Sequence, residues 1–181
     1  TQNRSDQDRR PALYTPEERV RRDATAWTLV QGILAPLQFL AFAVSLVLVL
    51  RYIYTGMGYE AATISIIVKT GFLYVIMITG AIWEKVVFGQ YLFHDSFFWE
   101  DVFSMLVIVL HSLYVFGMFT GIAEEGVLFA TALAAYVAYV INAGQFVWKL
   151  RQARLSAPAA QPAAATESDA DVSEPLVAQA A

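Results

Sequence analysis

The residues with the greatest chemical capacity lie in one polar segment, residues 83 to 103, with the sequence WEKVVFGQYLFHDSFFWEDVF. Glu84 and Asp101 stand near the two ends of this segment, each beside a long apolar run. A carboxylic acid kept neutral by apolar surroundings can donate a proton, and a second, ionised carboxylate can accept one. The pair therefore predicts acid–base chemistry, with Glu84 as the first candidate.

Four long apolar runs flank this segment and must position it. The chain has 181 residues, of which 57% are hydrophobic, more than the roughly 45–50% typical of soluble domains. Each run is close to the roughly 20 residues that cross a bilayer as a helix. We therefore expect an all-α integral membrane protein, a four-transmembrane-helix bundle with spans at about 29–50, 61–83, 102–122 and 126–148.

Composition also excludes several classes of chemistry. The chain has no cysteine, which excludes disulfides, thiolate metal sites and a cysteine nucleophile. It contains none of the glycine-rich nucleotide-binding motifs and no H-E-x-x-H. Its two histidines, His94 and His111, are seventeen positions apart and make a weak metal site. We expect no metal site of the protein's own and no nucleic-acid partner.

Basic residues predict the orientation and the flanking regions. Residues 1–26 form an arginine-rich arm without the features of a removed signal peptide, so we expect the first span to be retained. Ten of the twelve basic residues lie in this arm, in the 84–101 connector or just after the last span. By the positive-inside rule both termini and that connector are cytoplasmic. The membrane domain covers 27–155, and 156–181, rich in alanine, proline and acids, is predicted to be disordered.

Polar residues recur along one face of each span, which indicates the faces that point into the bundle. Most of this polarity lies in the predicted cytoplasmic half, so a small bundle would bring it to one region just inside the boundary. Small residues on the fourth span would let a neighbouring helix approach closely. The faces consist of Gln31, Gln38 and Ser45; Asp101, Ser104 and His111; and Thr131, Ala135, Ala138, Asn142 and Gln145.

Several of these residues also have purely structural interpretations. Amide and hydroxyl stripes hold membrane helices together without any chemistry, and rings near span ends form ordinary aromatic belts. The long stem of Lys69 favours snorkelling toward the outer face over catalysis. His111 is too deep to snorkel, so it either makes a bond between helices or supports the function.

Three stretches resemble one known family. LYTPEERVRRDATAWTLVQGILAPLQFLAF, IVKTGFLYVIMITGAIWEKVVFGQYLF and FFWEDVFSMLVIVLHSLY are similar to the vinyl bacteriochlorophyllide hydratases, also called chlorophyllide a hydratases. The resemblance runs from about Leu13 to Leu150. It implies a carbon–oxygen hydro-lyase that hydrates the C3 vinyl group of chlorophyllide a or 3-vinyl bacteriochlorophyllide to a 1-hydroxyethyl group, in bacteriochlorophyll biosynthesis.

That reaction suggests roles for the polar and aromatic residues. Protonation of a vinyl group needs a positioned acid, and the resulting cation needs an ionised partner. No cofactor is expected, because magnesium arrives with the tetrapyrrole, where His94 or His111 could be its axial ligand. The candidate catalytic residues are Glu84, Asp101 and His111, and the candidate substrate-binding residues are Gln31, Phe88, Tyr91, His94, Phe97, Phe98, Trp99 and Asn142.

The resemblance also implies a location and partners. We expect a multi-pass protein of the bacterial inner membrane, cytoplasmic or intracytoplasmic and photosynthetic. Besides the chlorophyllide or bacteriochlorophyllide substrate and the bilayer, other enzymes of bacteriochlorophyll synthesis are candidate partners. The connector after Glu84 is expected to continue the second helix for about two turns, because Val86 to Phe93 contains no proline and only one glycine.

Two other functions fit parts of the pattern. A non-catalytic chlorophyllide carrier or assembly factor would need the aromatic residues and a magnesium ligand but not the carboxylates. A small ion or proton transporter would use Lys69 and His111, but no inverted repeat is visible in the four spans. Replacing Glu84 and Asp101 with their amides would spare a carrier and silence a hydratase.

Overall fold

A computed structural model of the chain describes residues 13–155, which form five α-helices and, within that range, no β-strand. The first twelve residues of the arm and the tail expected to be disordered lie outside the described residues. The helices are α1 (Pro16–Ala24), α2 (Ala26–Thr55), α3 (Tyr59–Phe88), α4 (Phe98–Thr120) and α5 (Glu125–Leu155).

Helices α2 to α5 are each long and apolar enough to cross a membrane. The predicted all-α architecture with four spans is thereby confirmed, and the protein is a multi-pass membrane protein. The helices run past most of the predicted span ends, because polar turns can continue a helix beyond its apolar run.

Helix α1 lies in the arginine-rich arm, for which the sequence analysis made no helix prediction. Thr15 caps it: its hydroxyl accepts a hydrogen bond from the Glu18 N–H at 3.2 Å, and the Glu18 carboxylate accepts one from the Thr15 N–H at 2.8 Å. This reciprocal pair is a capping box, and Pro16 occupies the first helical position, where its missing N–H costs nothing. The signal T-P-E-E was therefore present in the sequence.

The connector between α3 and α4 differs from the expected continuation of the second helix. Helix α3 continues only to Phe88, little more than one turn past Trp83, and not to Phe93. It ends because Gly89 adopts a left-handed conformation with φ 82°, which is accessible to glycine without strain. Turns then lead to Phe97, the N-cap residue of α4.

The four long helices form two antiparallel hairpins, α2 with α3 and α4 with α5. Hydrogen bonds from Gln31 to Thr79 and from Trp83 to Thr28 join the first hairpin, and one from Asn142 to Ser104 joins the second. The hairpins meet along α3 and α4 and along α2 and α5. One end of the bundle therefore collects the end of α3, the start of α4 and the end of α5, and we call it the carboxylate end.

Small residues allow the close packing of α5 that its sequence predicted. Three alanines on its inner face are almost completely buried, while valines and an isoleucine on its other face are exposed on the surface of the bundle. The buried alanines let the aromatic rings of α2 lie against α5, with the Phe42 and Tyr139 rings 4.8 Å apart. The alanines are Ala132, Ala135 and Ala138.

Candidate active site

The carboxyl groups of Glu84 and Asp101 meet at the carboxylate end. Glu84 lies in the last turn but one of α3 and Asp101 in the first turn of α4, with 5% and 3% of their surface exposed. The two carboxyl groups lie close enough to act on one another electrostatically. The Oε2 atom of Glu84 is nevertheless buried without a hydrogen-bond partner among the described residues. The structure thus brings together the two acids on which the sequence analysis concentrated.

Two consecutive residues of the connector adjoin this pair. The N–H of Phe93 donates to Asp101 Oδ2 at 2.6 Å, and the backbone of His94, the next residue, lies near the Glu84 carboxyl group. Phe93 has φ 61°, a left-handed conformation that a bulky residue rarely adopts. This bend turns the Phe93 amide toward Asp101, so the connector helps to position the pair.

A third acid, Glu100, is neutralised beside the pair. Lys149, near the end of α5, forms a 2.7 Å ion pair with Glu100 and donates a second hydrogen bond to the carbonyl of Ser96. Its ammonium group also lies 4.9 Å from the centre of the Phe97 ring. Lys149 therefore ties three elements together and leaves Glu84 and Asp101 as the unneutralised acids.

Stacked rings form a wall next to the carboxyl pair. The Phe88 ring stacks on His94 at 4.2 Å and on Tyr14 at 5.8 Å, with the ring planes within 10° of parallel. Phe97 stacks on Phe146 of α5 at 6.1 Å, and Trp83 meets the edges of Phe88 and Phe97. We call these six rings the aromatic wall: Tyr14, Trp83, Phe88, His94, Phe97 and Phe146. The Lys149 ammonium group lies over the Phe97 ring.

Only some of the predicted binding residues belong to the aromatic wall. Phe88, His94 and Phe97 do, whereas Tyr91, Phe98 and Trp99 point outward and are largely exposed. The outward rings sit at the end of the bundle, where a membrane surface would meet them.

The sequence analysis missed Tyr14 and Phe146. Tyr14 is an apolar residue directly before the helix cap Thr15, a position that often packs back on the fold, and this signal could have identified it. Phe146 comes directly after Gln145, the last residue of the polar face of α5, and no pattern in the sequence distinguished it.

Gln31 and Asn142 lie deeper than the carboxyl pair. Gln31 donates to Thr79 at 2.8 Å inside the α2–α3 hairpin, and Asn142 donates to Ser104 at 2.9 Å. Ser104 is one turn from Asp101 on α4, so Asn142 adjoins the site while Gln31 is bound within its own hairpin. A shallow surface pocket lined by Tyr52 and Phe129 lies at the opposite end of the bundle, away from these residues.

Lys69 and His111 form a separate cluster in the middle of the bundle. The prediction that Lys69 snorkels toward the outer face is wrong. Its side chain is fully buried, and its Nζ lies 2.7 Å from His111 Nε2. The ammonium group also faces the rings of Tyr136 and Tyr139 at 5.2 and 4.5 Å. Long apolar helix on either side leaves the stem no short path to a surface.

His111 is not brought to the carboxyl pair. Its Nδ1 bonds to the Val107 carbonyl at 2.8 Å and its Nε2 faces Lys69, so both ring nitrogens are engaged. It lies ten residues along α4 from Asp101, about 15 Å by helix rise. The bond between helices, one of its two sequence-based interpretations, is the contact that the structure contains.

Comparison with known proteins identifies the family. The family model described as 2-vinyl bacteriochlorophyllide hydratase matches residues 14–152, from the aromatic wall to the end of α5. The chain belongs to the 2-vinyl bacteriochlorophyllide hydratase family. The resemblance seen in the sequence is confirmed, and the chain is an enzyme of the hydro-lyase class.

Two relatives in this family are similar over most of their length. The 2-vinyl bacteriochlorophyllide hydratase of Rhodobacter capsulatus is 72% identical over 148 residues, covering 82% of this chain and 86% of the relative. That of Cereibacter sphaeroides is 68% identical over 149 residues, covering 82% and 92%. No solved structure matches the chain. The matched region contains the carboxyl pair, the connector and the aromatic wall.

Proposed function

We propose that this protein adds water to the vinyl group of 3-vinyl bacteriochlorophyllide, and of chlorophyllide a, to give the 3-(1-hydroxyethyl) product. The substituent numbered 2 in the family name is the C3 vinyl group in current numbering. Family membership supports the reaction class and the bacteriochlorin substrate. The observation that supports the chemistry is the contact between Glu84 and Asp101, two buried acids beside the aromatic wall.

The reaction needs an acid and a base in one place. A proton passes from a carboxylic acid to the terminal vinyl carbon, and the conjugated macrocycle spreads the positive charge left on the inner carbon. Water then bonds to that inner carbon and gives a proton to a carboxylate. The two carboxyl groups exchange one proton to regain their starting state, so atoms and charge balance without a cofactor. Magnesium enters and leaves with the tetrapyrrole.

The contacts favour Glu84 as the acid and Asp101 as the base. Two carboxylates in contact repel one another, and one shared proton removes that repulsion. The Phe93 N–H donates a hydrogen bond to Asp101 Oδ2, and an ionised carboxylate accepts such a bond best. Glu84 keeps an unbonded oxygen, Oε2, from which a proton can be delivered.

The aromatic wall supports binding of a flat macrocycle. Phe88 and Phe97 are stacked on neighbouring rings inside the wall. Tyr91, Phe98 and Trp99 present exposed apolar surface at the same end, on which a macrocycle can stack. Between the two histidines, His94 is the better candidate for an axial magnesium ligand, because both ring nitrogens of His111 are engaged. Asn142 adjoins the site from deeper in the bundle, through its hydrogen bond to Ser104. Gln31 remains a candidate only as a support for α3.

The direct test is product formation in membranes. Membranes containing the protein are incubated with 3-vinyl bacteriochlorophyllide or with chlorophyllide a, and mass spectrometry measures a product heavier by one water. The parent chain is expected to form it from both substrates, and Glu84→Gln and Asp101→Asn to bind pigment without forming it. Pigment binding without any product in the parent chain would instead support the carrier hypothesis.

We also propose that both termini and the 84–101 connector face the cytoplasm of a bacterial inner membrane, next to other enzymes of bacteriochlorophyll synthesis. The basic flanks support this orientation. Reporter fusions after residue 58 and after residue 152 should lie on opposite sides of the membrane. Reporters on the same side would contradict the topology, and the reverse assignment would contradict the orientation.

A further inference from the structure

Buried side chains with unused hydrogen-bonding atoms lie deeper in the bundle than the carboxyl pair. Gln38 is only 2% exposed, yet neither its Oε1 nor its Nε2 has a hydrogen-bond partner among the described residues. Asn142 is 8% exposed and uses its amide nitrogen on Ser104, but its Oδ1 is likewise unpartnered. Buried polar groups in native proteins almost always have a partner, which can be an ordered water molecule.

These atoms occupy one layer of the bundle. Phe42 of α2 packs on Tyr139 of α5, and these helices run antiparallel. Gln38 lies one turn before Phe42, and Asn142 lies about one turn after Tyr139. Both therefore lie on the same side of that ring contact, the side that faces the carboxylate end. The layer separates the carboxyl pair from the cluster of Lys69 and His111.

A hydratase whose acids are buried in apolar surroundings needs a place for its second substrate, water. Resting on the function proposed above, we infer that Gln38 and Asn142 bind an internal water molecule and present it to the inner vinyl carbon from below the Glu84–Asp101 pair. An amide carbonyl accepts from the water and orients its lone pair, and the Gln38 amide nitrogen donates to it. The Oε2 atom of Glu84, nearer the carboxylate end, also lacks a hydrogen-bond partner among the described residues.

This water would act in the second half of the reaction only. The acid forms the bond between hydrogen and the terminal carbon without it, and the cation then has two fates. Captured by water, it gives the 1-hydroxyethyl product after the water proton passes to a carboxylate. Uncaptured, it returns a proton from the terminal carbon to the carboxylate and restores the vinyl group. In heavy water the returning path leaves deuterium on the terminal carbon of the substrate.

The ratio of these fates tests the water site. Gln38→Leu and Asn142→Leu are assayed in heavy water, early in the reaction, and mass spectrometry measures deuterium in the recovered vinyl substrate and the amount of hydrated product. The ratio of exchange to hydration should rise about tenfold in each variant, since one lost hydrogen bond changes a rate by about that factor. The ratio is independent of how much folded protein each membrane contains.

Thr70→Val is the matched control. Thr70 is also buried in α3, but its hydroxyl already bonds to the Ile66 carbonyl at 2.7 Å, so the ratio should equal that of the parent chain. An unchanged ratio in Gln38→Leu and Asn142→Leu, including equal loss of exchange and hydration, would overturn the water site. Glu84→Gln should reduce exchange and hydration together. Undiminished hydration in that variant would refute the proposed acid and leave the ratio test of the water site intact.

Discussion

Two of the buried groups of ionisable side chains in the bundle differ in how completely their hydrogen-bonding atoms are satisfied. In the Lys69–His111 cluster, an ammonium group meets an imidazole and aromatic faces, and both imidazole nitrogens have partners. In the Glu84–Asp101 pair, two acids face one another and one carboxyl oxygen has no partner. A closed set of contacts specifies how helices pack, whereas unused bonding capacity is available to a substrate.

The strongest test of this contrast removes the acids. Asp101→Asn and Glu84→Gln should each lower the hydration rate by about a hundredfold or more, the usual effect of losing a general acid or base, while pigment binding persists. Asp95→Asn is the control from the same connector and should have little effect. Hydration rate and pigment binding are measured together on all three variants. Full activity in either of the first two would remove that residue from the chemistry.

A smaller effect is expected at the ion pair beside the acids. Lys149→Met leaves Glu100 buried without its cation and frees the connector, so the carboxyl pair should shift and hydration should fall about tenfold. The double variant Lys149→Met with Glu100→Gln removes the uncompensated charge and should recover part of the rate. A double variant no faster than the single one would show that charge at Glu100 is not the cause.

Substitutions in the Lys69–His111 cluster should lower the stability of the protein and leave its hydration rate unchanged. Lys69→Met leaves the Nε2 atom of His111 without its partner, which costs about 1–3 kcal/mol of folding free energy. Thermal unfolding in detergent should occur at a lower temperature, while hydration per folded molecule stays near the parent value. The double variant with His111→Leu should be less destabilised than the sum of the single variants. A large fall in rate without a fall in stability would place this cluster in the chemistry.

The smallest effect is expected at the turn that ends α3. Gly89→Ala places a side chain at φ 82°, which costs about 1 kcal/mol although nothing lies within 4 Å of the new methyl group. Gly144→Ala, inside α5 with equally open surroundings and no positive φ, should be neutral or stabilising by a similar amount. Calorimetry of both variants measures the difference. Equal unfolding temperatures would contradict the strained position of Gly89.

Residues with a strong solvent preference were predictable from the sequence, and residues defined by contacts between helices were not. Apolar runs revealed the four spans, and the cost of a polar group in lipid identified the inward faces with Glu84 and Asp101. The prediction that Lys69 snorkels was wrong because the sequence of one helix does not reveal a partner on the next, here His111. The early end of α3 could have been predicted from Gly89, whereas the bend at Phe93 has no local signal, since a bulky residue rarely adopts positive φ.

The carboxyl pair lies at the seam between the two hairpins, so it forms only when the hairpins associate. Membrane helices insert first and associate afterwards, and each hairpin carries only one of the two acids, Glu84 on α3 and Asp101 on α4. Under the mechanism proposed above, neither inserted half can place the proton donor against the base. That mechanism predicts that hydration starts only once the halves dock, and that a half-assembled intermediate does not hydrate the vinyl substrate.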